Sequence, residues 1–245
     1  MSETLAVNEI YLSLQGESTF AGLPCVFVRL TGCNLRCSYC DTAYAFKEGA
    51  KMTFGEILGK ARALAAPYQG RKGGGHRLPL VEFTGGEPLL QRNSPLLMKA
   101  FCEEGFTVLV ETSGALDIAP LDPRVRRIMD LKCPSSGESA RNRLENIPQL
   151  RETDELKFVI GTVEDYEWAK GMIAGHGLAE RCPILFSWVA PLQPHQQDAS
   201  LKKVPEGQTP ITRRDLVERI VADTLPVRFQ LQMHKFIWPP DERGV

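Results

Sequence analysis

No apolar run in this chain approaches the roughly 20 residues that cross a bilayer, and Met1-Ser2-Glu3-Thr4-Leu5 lacks the basic and apolar blocks of a secretory leader. The expectation is a soluble, intracellular, cytoplasmic protein with no membrane contact. Basic charge is not in excess either. The chain sets 29 Lys and Arg against 30 Asp and Glu, which removes the broad positive field of a dedicated nucleic-acid binder and favours a small-molecule substrate. The triple glycine Gly73-Gly74-Gly75 is not followed by the Gly-Lys-Ser/Thr of a phosphate-binding loop. There is no long repeat or low-complexity tract. An odd count of seven cysteines makes a poor disulfide framework and points to a reducing compartment.

Three of those cysteines crowd into Thr31-Gly32-Cys33-Asn34-Leu35-Arg36-Cys37-Ser38-Tyr39-Cys40-Asp41-Thr42 at a C-x3-C-x2-C spacing. Thiolates this close suit zinc or an iron–sulfur cluster. A fourth ligand nearby is missing. Closed structural sites take four protein ligands whereas catalytic ones keep a position open, so the trio reads as a place of chemistry. Two other readings stay open on the residues alone. One is a zinc module completed by a distant Cys25, Cys102, Cys133 or Cys182; the other is a thioredoxin-like pair, Cys37 and Cys40, which leaves Cys33 unexplained. The four isolated cysteines otherwise read as small apolar core residues.

Alternation at Ile10, Leu12 and Leu14 predicts a strand, added at the sheet edge, running into a turn at Gln15-Gly16-Glu17-Ser18. Residues 25–30 predict a stronger strand that leads straight into the cysteine loop, and Arg29 within it either snorkels or binds a ligand. Thr53 and Glu56 fit a capping box for a helix that ends before Pro67. Residues 69–77 read as a flexible loop insertion. Further strands are expected at 80–83, 107–110, 128–129, 156–160, 184–186 and 227–232, with helices opening near Pro95, Thr162 and Thr212. Residues 190–210, with four prolines, read as an inserted loop or lid.

A strand-then-helix rhythm implies parallel strands joined by crossovers, in a doubly wound sheet or a barrel. The placing of the unusual groups decides between them. The cysteine loop, Thr84 to Glu87, Glu111 to Gly114, Asp130 with Lys132, and His234 all follow strands, so parallel strands would gather them on the catalytic face of a barrel. The expected fold is α/β, one domain over residues 1–245 forming a partial, open (βα)6-like TIM barrel. Roughly 200 residues remain once loops and tails are removed, too few for eight full units.

These motifs resemble the radical S-adenosylmethionine (SAM) superfamily and, within it, the 7-carboxy-7-deazaguanine synthase family. The resemblance runs from about residue 7 to about residue 240 and is carried by Leu14-Gln15-Gly16-Glu17, the stretch from Val26 to Leu35, Cys40-Asp41-Thr42, Thr84-Gly85-Gly86-Glu87-Pro88, Glu111-Thr112-Ser113-Gly114, Glu155-Leu156-Lys157 and Gln232-Met233-His234-Lys235. The cysteine motif identifies only the superfamily; the early Leu-Gln-Gly-Glu and the late Gln-x-His-Lys point to the narrower family.

The resemblance implies a 4Fe-4S cluster on Cys33, Cys37 and Cys40, whose open iron is chelated by SAM, and a 5′-deoxyadenosyl radical. The radical would convert 6-carboxy-5,6,7,8-tetrahydropterin to 7-carboxy-7-deazaguanine and ammonia on the path to queuosine. It further implies SAM contacts from Tyr39, Cys40, Asp41, Gly85, Gly86, Glu87, Asp130 and Lys132, with Asp-Leu-Lys standing where relatives have Ser-Pro-Lys. Substrate contacts fall to Leu14, Gln15, Gly16, Arg29, Thr84 and His234, and Mg2+ to Thr42. A planar guanidinium suits a carboxylate, which favours the ligand reading of Arg29. An electron donor such as flavodoxin or ferredoxin and a homodimer are expected, with no direct nucleic-acid contact. Some relatives end near the position of Pro240 and use their terminal carboxylate on the substrate; here a short extension, residues 241–245, follows. The rival within the superfamily is a glycyl-radical-enzyme activating protein.

Overall fold

The structure, a computed structural model, describes residues 3–239 and 242–244. β1 (Thr4–Leu14) pairs antiparallel with β2 (Pro24–Leu30), setting Ile10 opposite Val28 and Leu12 opposite Val26. β3 (Ala50–Thr53) adds outside β1, so β1 is second from the edge rather than the edge strand. α1 (Phe54–Ala65) follows at once. Its capping box is the expected one: Thr53 Oγ1 accepts from Glu56 N, and Glu56 Oε2 accepts from Thr53 N. Within the expected loop 69–77, β4 (Lys72–Gly73) and β5 (His76–Arg77) form a small hairpin. Gly74 and Gly75 turn it at φ +57° and +83°, where a side chain would be strained.

The remaining elements are β6 (Leu80–Gly85), α2 (Ser94–Glu103), β7 (Val108–Thr112), β8 (Arg126–Asp130), β9 (Glu155–Ile160), α3 (Val163–His176), β10 (Ile184–Trp188), α4 (Arg213–Ala222), β11 (Arg228–Gln230) and α5 (His234–Ile237). The sheet runs β11-β10-β9-β8-β7-β6-β2-β1-β3, and every pair from β2 to β11 is parallel. It is open, as a partial radical SAM barrel is. The strand-then-helix rhythm fails twice. The β7–β8 crossover has no helix and the β8–β9 crossover only 3-10 turns, because Pro120, Pro123, Pro134 and Pro148 interrupt any α-helical run. β11 is also shorter than expected. Met233 N donates to Gly16 O, which turns the chain out of the strand and leaves His234 at the start of α5.

Alternation divides each strand between two faces. Val81 and Phe83 of β6, like Val26 and Val28 of β2, enter the large core beneath the helices. Leu80, with Cys25, Phe27, Leu109, Ile128 and Phe20, forms a small apolar plug on the inner face. Further toward the carboxyl ends that inner face turns polar: Glu82, Glu111 and Asp130 follow the plug residues Leu80, Leu109 and Ile128 on their strands, and Lys157 joins them from β9. The turn after β1 reaches across the open side. Ser18 N donates to Gln230 Oε1 (3.1 Å), Gln230 Nε2 donates to Ser18 O (2.7 Å), and Thr19 N donates to Glu155 Oε2 (3.0 Å). Cys25, Cys102, Cys133 and Cys182 are buried and unpaired. Among the described residues no helix is long and apolar enough to cross a membrane.

Candidate active site

The cysteine loop is seated by glycines. A Cβ on Gly86 would lie 2.0 Å from Gly32 O and one on Gly85 2.3 Å from Leu30 O, and Gly85 has φ +124°. The sequence suggests that these glycines admit a ligand; the closest approach is by the chain itself, with Glu87 N donating to Gly32 O at 2.8 Å. On the other side, Ser38 N donates to Ser136 O (3.0 Å), Ser38 Oγ to Ser135 O (2.7 Å) and Arg36 N to Glu138 Oε1 (2.7 Å). Buried Glu138 also takes Lys202 Nζ at 2.9 Å, and Lys202 N donates to Arg36 O. The 190–210 loop is thus packed onto the cysteine loop.

The strand ends enclose a cavity of about 230 Å³, beside a second of about 390 Å³ that shares Arg29, Asp41, Thr42 and His234 with it as wall residues. The first cavity brings together the residues named from sequence. From the β1 end come Leu14, Gln15 and Gly16; from β2, Arg29; from the cysteine loop, Cys33, Cys37, Tyr39, Cys40, Asp41 and Thr42. β6 adds Thr84, Gly85 and Gly86, β8 and its end add Asp130 and Lys132, and α5 adds His234. Glu87 is the exception. Its carboxylate is fully buried and turned to Ser113 N (2.7 Å), Ser113 Oγ (2.6 Å), Thr112 Oγ1 (2.9 Å) and Leu89 N (3.0 Å), so it braces two strand ends and does not face the cavity.

Arg29 does not snorkel. Nε donates to Glu9 Oε1 and Nη2 to Tyr11 Oη, both at 2.7 Å, while Nη1 has no hydrogen bond among the described residues. Asp41 pairs with Lys235 at 2.6 Å; burial would raise its carboxyl, but Lys235 and His234 outweigh that and lower it. Lys132 Nζ sits 2.7 Å from Asp130 Oδ2. Asp130 Oδ1 and Tyr39 Oη are buried without a partner among the described residues. Gly16 fits under His234, whose Nδ1 would lie 2.9 Å from an added Cβ. Residues 240, 241 and 245 lie outside the described residues, so the expectation about the chain end has no test there; Arg243 pairs with Glu48 at 2.7 Å.

Sequence reasoning missed a buried charge cluster on the inner face. Lys157 Nζ is 3.0 Å from Glu17 Oε2 and 4.0 Å from Asp130 Oδ2, and it also contacts Glu111 Oε1. Burial would raise the Glu17 carboxyl, but Lys157, His234 and the Gln232 amide hold it down at about 2. Burial and then Glu111 push Glu82 up to about 8. The signal was available. A charge inside an apolar parallel strand flags Arg29, and it flags Glu82 in Val-Glu-Phe and Lys157 in Leu-Lys-Phe just as well.

The residues fit a cluster better than a single ion. Among the described residues no three His, Cys, Asp or Glu side chains could hold one metal ion, which disfavours the zinc module. A cluster needs no such convergence, because each thiolate binds a different iron. Burial raises all three thiols, Cys37 to about 12, so loading metal there entails releasing protons. The unpartnered Asp130 Oδ1 is an acceptor set for a ligand's hydroxyl or amino group.

Comparison with known proteins places this geometry in a family. The Radical SAM superfamily model matches residues 27–135. A 7-carboxy-7-deazaguanine synthase of Chlorobaculum tepidum is 44% identical over 244 residues, covering 98% of this chain and 97% of that one. One of Koribacter versatilis is 42% identical, covering 98% and 100%. The crystal structure of QueE from Escherichia coli superposes with a TM-score of 0.64 at 22% identity, over 94% and 95% of the two chains, a likeness of fold. With relatives this similar along nearly its whole length, the chain belongs to the 7-carboxy-7-deazaguanine synthase family of radical SAM enzymes.

Proposed function

We propose that this chain converts 6-carboxy-5,6,7,8-tetrahydropterin to 7-carboxy-7-deazaguanine and ammonia, in queuosine biosynthesis. The observation that carries the reading is the meeting, in one cavity, of three thiols at C-x3-C-x2-C spacing with a guanidinium whose Nη1 has no hydrogen-bond partner among the described residues. Cys33, Cys37 and Cys40 would hold a 4Fe-4S cluster. When bound, the cluster and SAM supply the electron and the carbon radical for hydrogen abstraction.

The chain's own residues do the positioning. Tyr39, Asp41, Gly85, Gly86, Asp130 and Lys132 line the part of the cavity next to the cysteines and would hold SAM, Asp130 through its unpartnered Oδ1. Arg29, held rigid by Glu9 and Tyr11, would bind the substrate carboxylate through Nη1. Leu14, Gln15, Gly16, Thr84 and His234 would fix the ring system. Thr42 would give one oxygen to Mg2+, the others coming from water and substrate. Glu87 has a bracing role in this reading. A homodimer and a flavodoxin or ferredoxin donor belong to it as well. The activating-protein alternative is not favoured, since the relatives aligned along the whole chain are synthases.

The test is anaerobic. Protein reconstituted with iron and sulfide, then given reductant, SAM and the carboxytetrahydropterin, is expected to form the deazaguanine and ammonia in equal amounts and leave SAM unconsumed. No product under these conditions refutes the proposal. Thr42→Val is expected to lose Mg2+ stimulation while keeping its iron.

A further inference from the structure

Glu82 sits on the cavity wall with no role assigned to it. β6 sends Val81 and Phe83 into the outer core and points Leu80, Glu82 and Thr84 inward. The residue is 2% exposed yet lines the cavity. Oε2 accepts from Gln15 Nε2 at 3.0 Å, while Oε1 makes no hydrogen bond among the described residues. Gln15 is held at its other end too, with Oε1 accepting from Glu17 N at 2.6 Å. The Glu17 N–H, which can only donate, sets the orientation of the amide, and Glu82 holds its Nε2 end.

Among the described residues, the charges around Glu82 leave it without a counter-ion of its own. Tyr11 faces it from β1, Cys25 from β2, Glu17 from the first turn, Glu111 from β7 and Lys157 from β9. Lys157 is taken by Glu17 and Glu111, Arg29 by Glu9 and Lys132 by Asp130. An unpaired buried carboxylate is expensive, so this one keeps its proton. In that form it donates as well as accepts.

We propose that Glu82 is a substrate-binding residue that locks the Gln15 amide with one oxygen and offers the other to an acceptor on the bound heterocycle, a ring nitrogen or carbonyl. This rests on the carboxytetrahydropterin reading of the site. A neutral acid suits such a ligand, since a second negative charge beside Glu111 would add to the repulsion of a carboxylate-bearing substrate.

The test uses the reconstituted enzyme, with Glu82→Gln keeping both a donor and an acceptor and Glu82→Leu keeping neither. Affinity for the product is read by calorimetry, and KM for the carboxytetrahydropterin by turnover, from about pH 6.5 to about 9. Glu82 carries its proton below about 8 and loses it above, so wild-type binding should weaken by up to about tenfold per pH unit beyond that point. Glu82→Gln should match wild type near neutrality and show no such fall. Glu82→Leu should raise KM at least about tenfold with a smaller change in kcat. A Glu82→Gln profile that falls as wild type does, or an unchanged KM in Glu82→Leu, overturns the role of Glu82 alone. A wild-type enzyme that neither binds nor converts the pterin overturns the underlying reading, and this inference with it.

Discussion

Lys157→Met removes the ammonium that holds the inner charge cluster together. Lys157 has a side chain only 4% exposed, with Glu17 at 3.0 Å, Asp130 at 4.0 Å and Glu111 in contact. At an effective dielectric of about 20, opposite charges 3 Å apart attract by roughly 5–6 kcal/mol. Releasing the ammonium from burial returns part of that, and the methionine keeps most of the packing of the stem. Two carboxylates are nevertheless left without their counter-ion, a change that costs about 3–5 kcal/mol in buried pairs. For a chain of this size the melting temperature should drop by roughly 6–20 °C. Anaerobic urea titration and thermal melting of the reconstituted protein measure the loss. pH supplies a second check. Burial works against the Glu17 carboxylate, but Lys157, joined by His234 and the Gln232 amide, brings the group from an ordinary 4.5 to about 2. That stabilisation is complete above about 4.5 and lost as pH falls toward 2. Lys157→Met lacks the largest part of that stabilisation at every pH, so the gap to wild type should narrow by up to about 1.4 kcal/mol per pH unit across that window. Adding Glu17→Gln should restore part of the loss by removing one stranded charge. A deficit under about 1 kcal/mol at neutral pH, or a gap that widens in acid, would refute the reasoning.

Gly86→Ala should abolish cluster loading, because its Cβ would fall 2.0 Å from Gly32 O and push the cysteine loop off its seat; a soluble variant with full iron and an unchanged melting temperature contradicts this. Asp130→Asn loses the charge on the unpartnered Oδ1 and should weaken SAM binding by about 10–100-fold. Calorimetry with SAM measures it, and an unaltered affinity removes Asp130 from the SAM site.

What could be read from the sequence and what could not divide along a physical line. Strand ends were legible because largely apolar runs give way to Gly85, Glu111 and Asp130 whatever surrounds them, and parallel pairing then brings those ends together. The helixless crossovers after β7 and β8 were not, since Pro120, Pro123, Pro134 and Pro148 act by preventing an element rather than forming one. Glu87 shows the limit for the site. Its place in Gly-Gly-Glu-Pro is plain from the sequence, but the direction of its carboxylate is set by Ser113 and Thr112, 26 and 25 residues later. Glu17 and Glu111 lie farther still from Lys157, 140 and 46 residues away, and only the folded inner face makes them one cluster.

Glu138 also has a meaning for how the chain is made. It joins Arg36, 102 residues earlier, to Lys202, 64 residues later. At about 5–20 residues per second, synthesis of that interval takes roughly 10–30 s, during which Cys33, Cys37 and Cys40 have left the ribosome without the platform that seats them. Delivery of iron and sulfide to the finished protein therefore finds a preformed loop, whereas delivery to the growing chain would meet three loose thiols. Lys202 is thus among the last parts of that platform to be made.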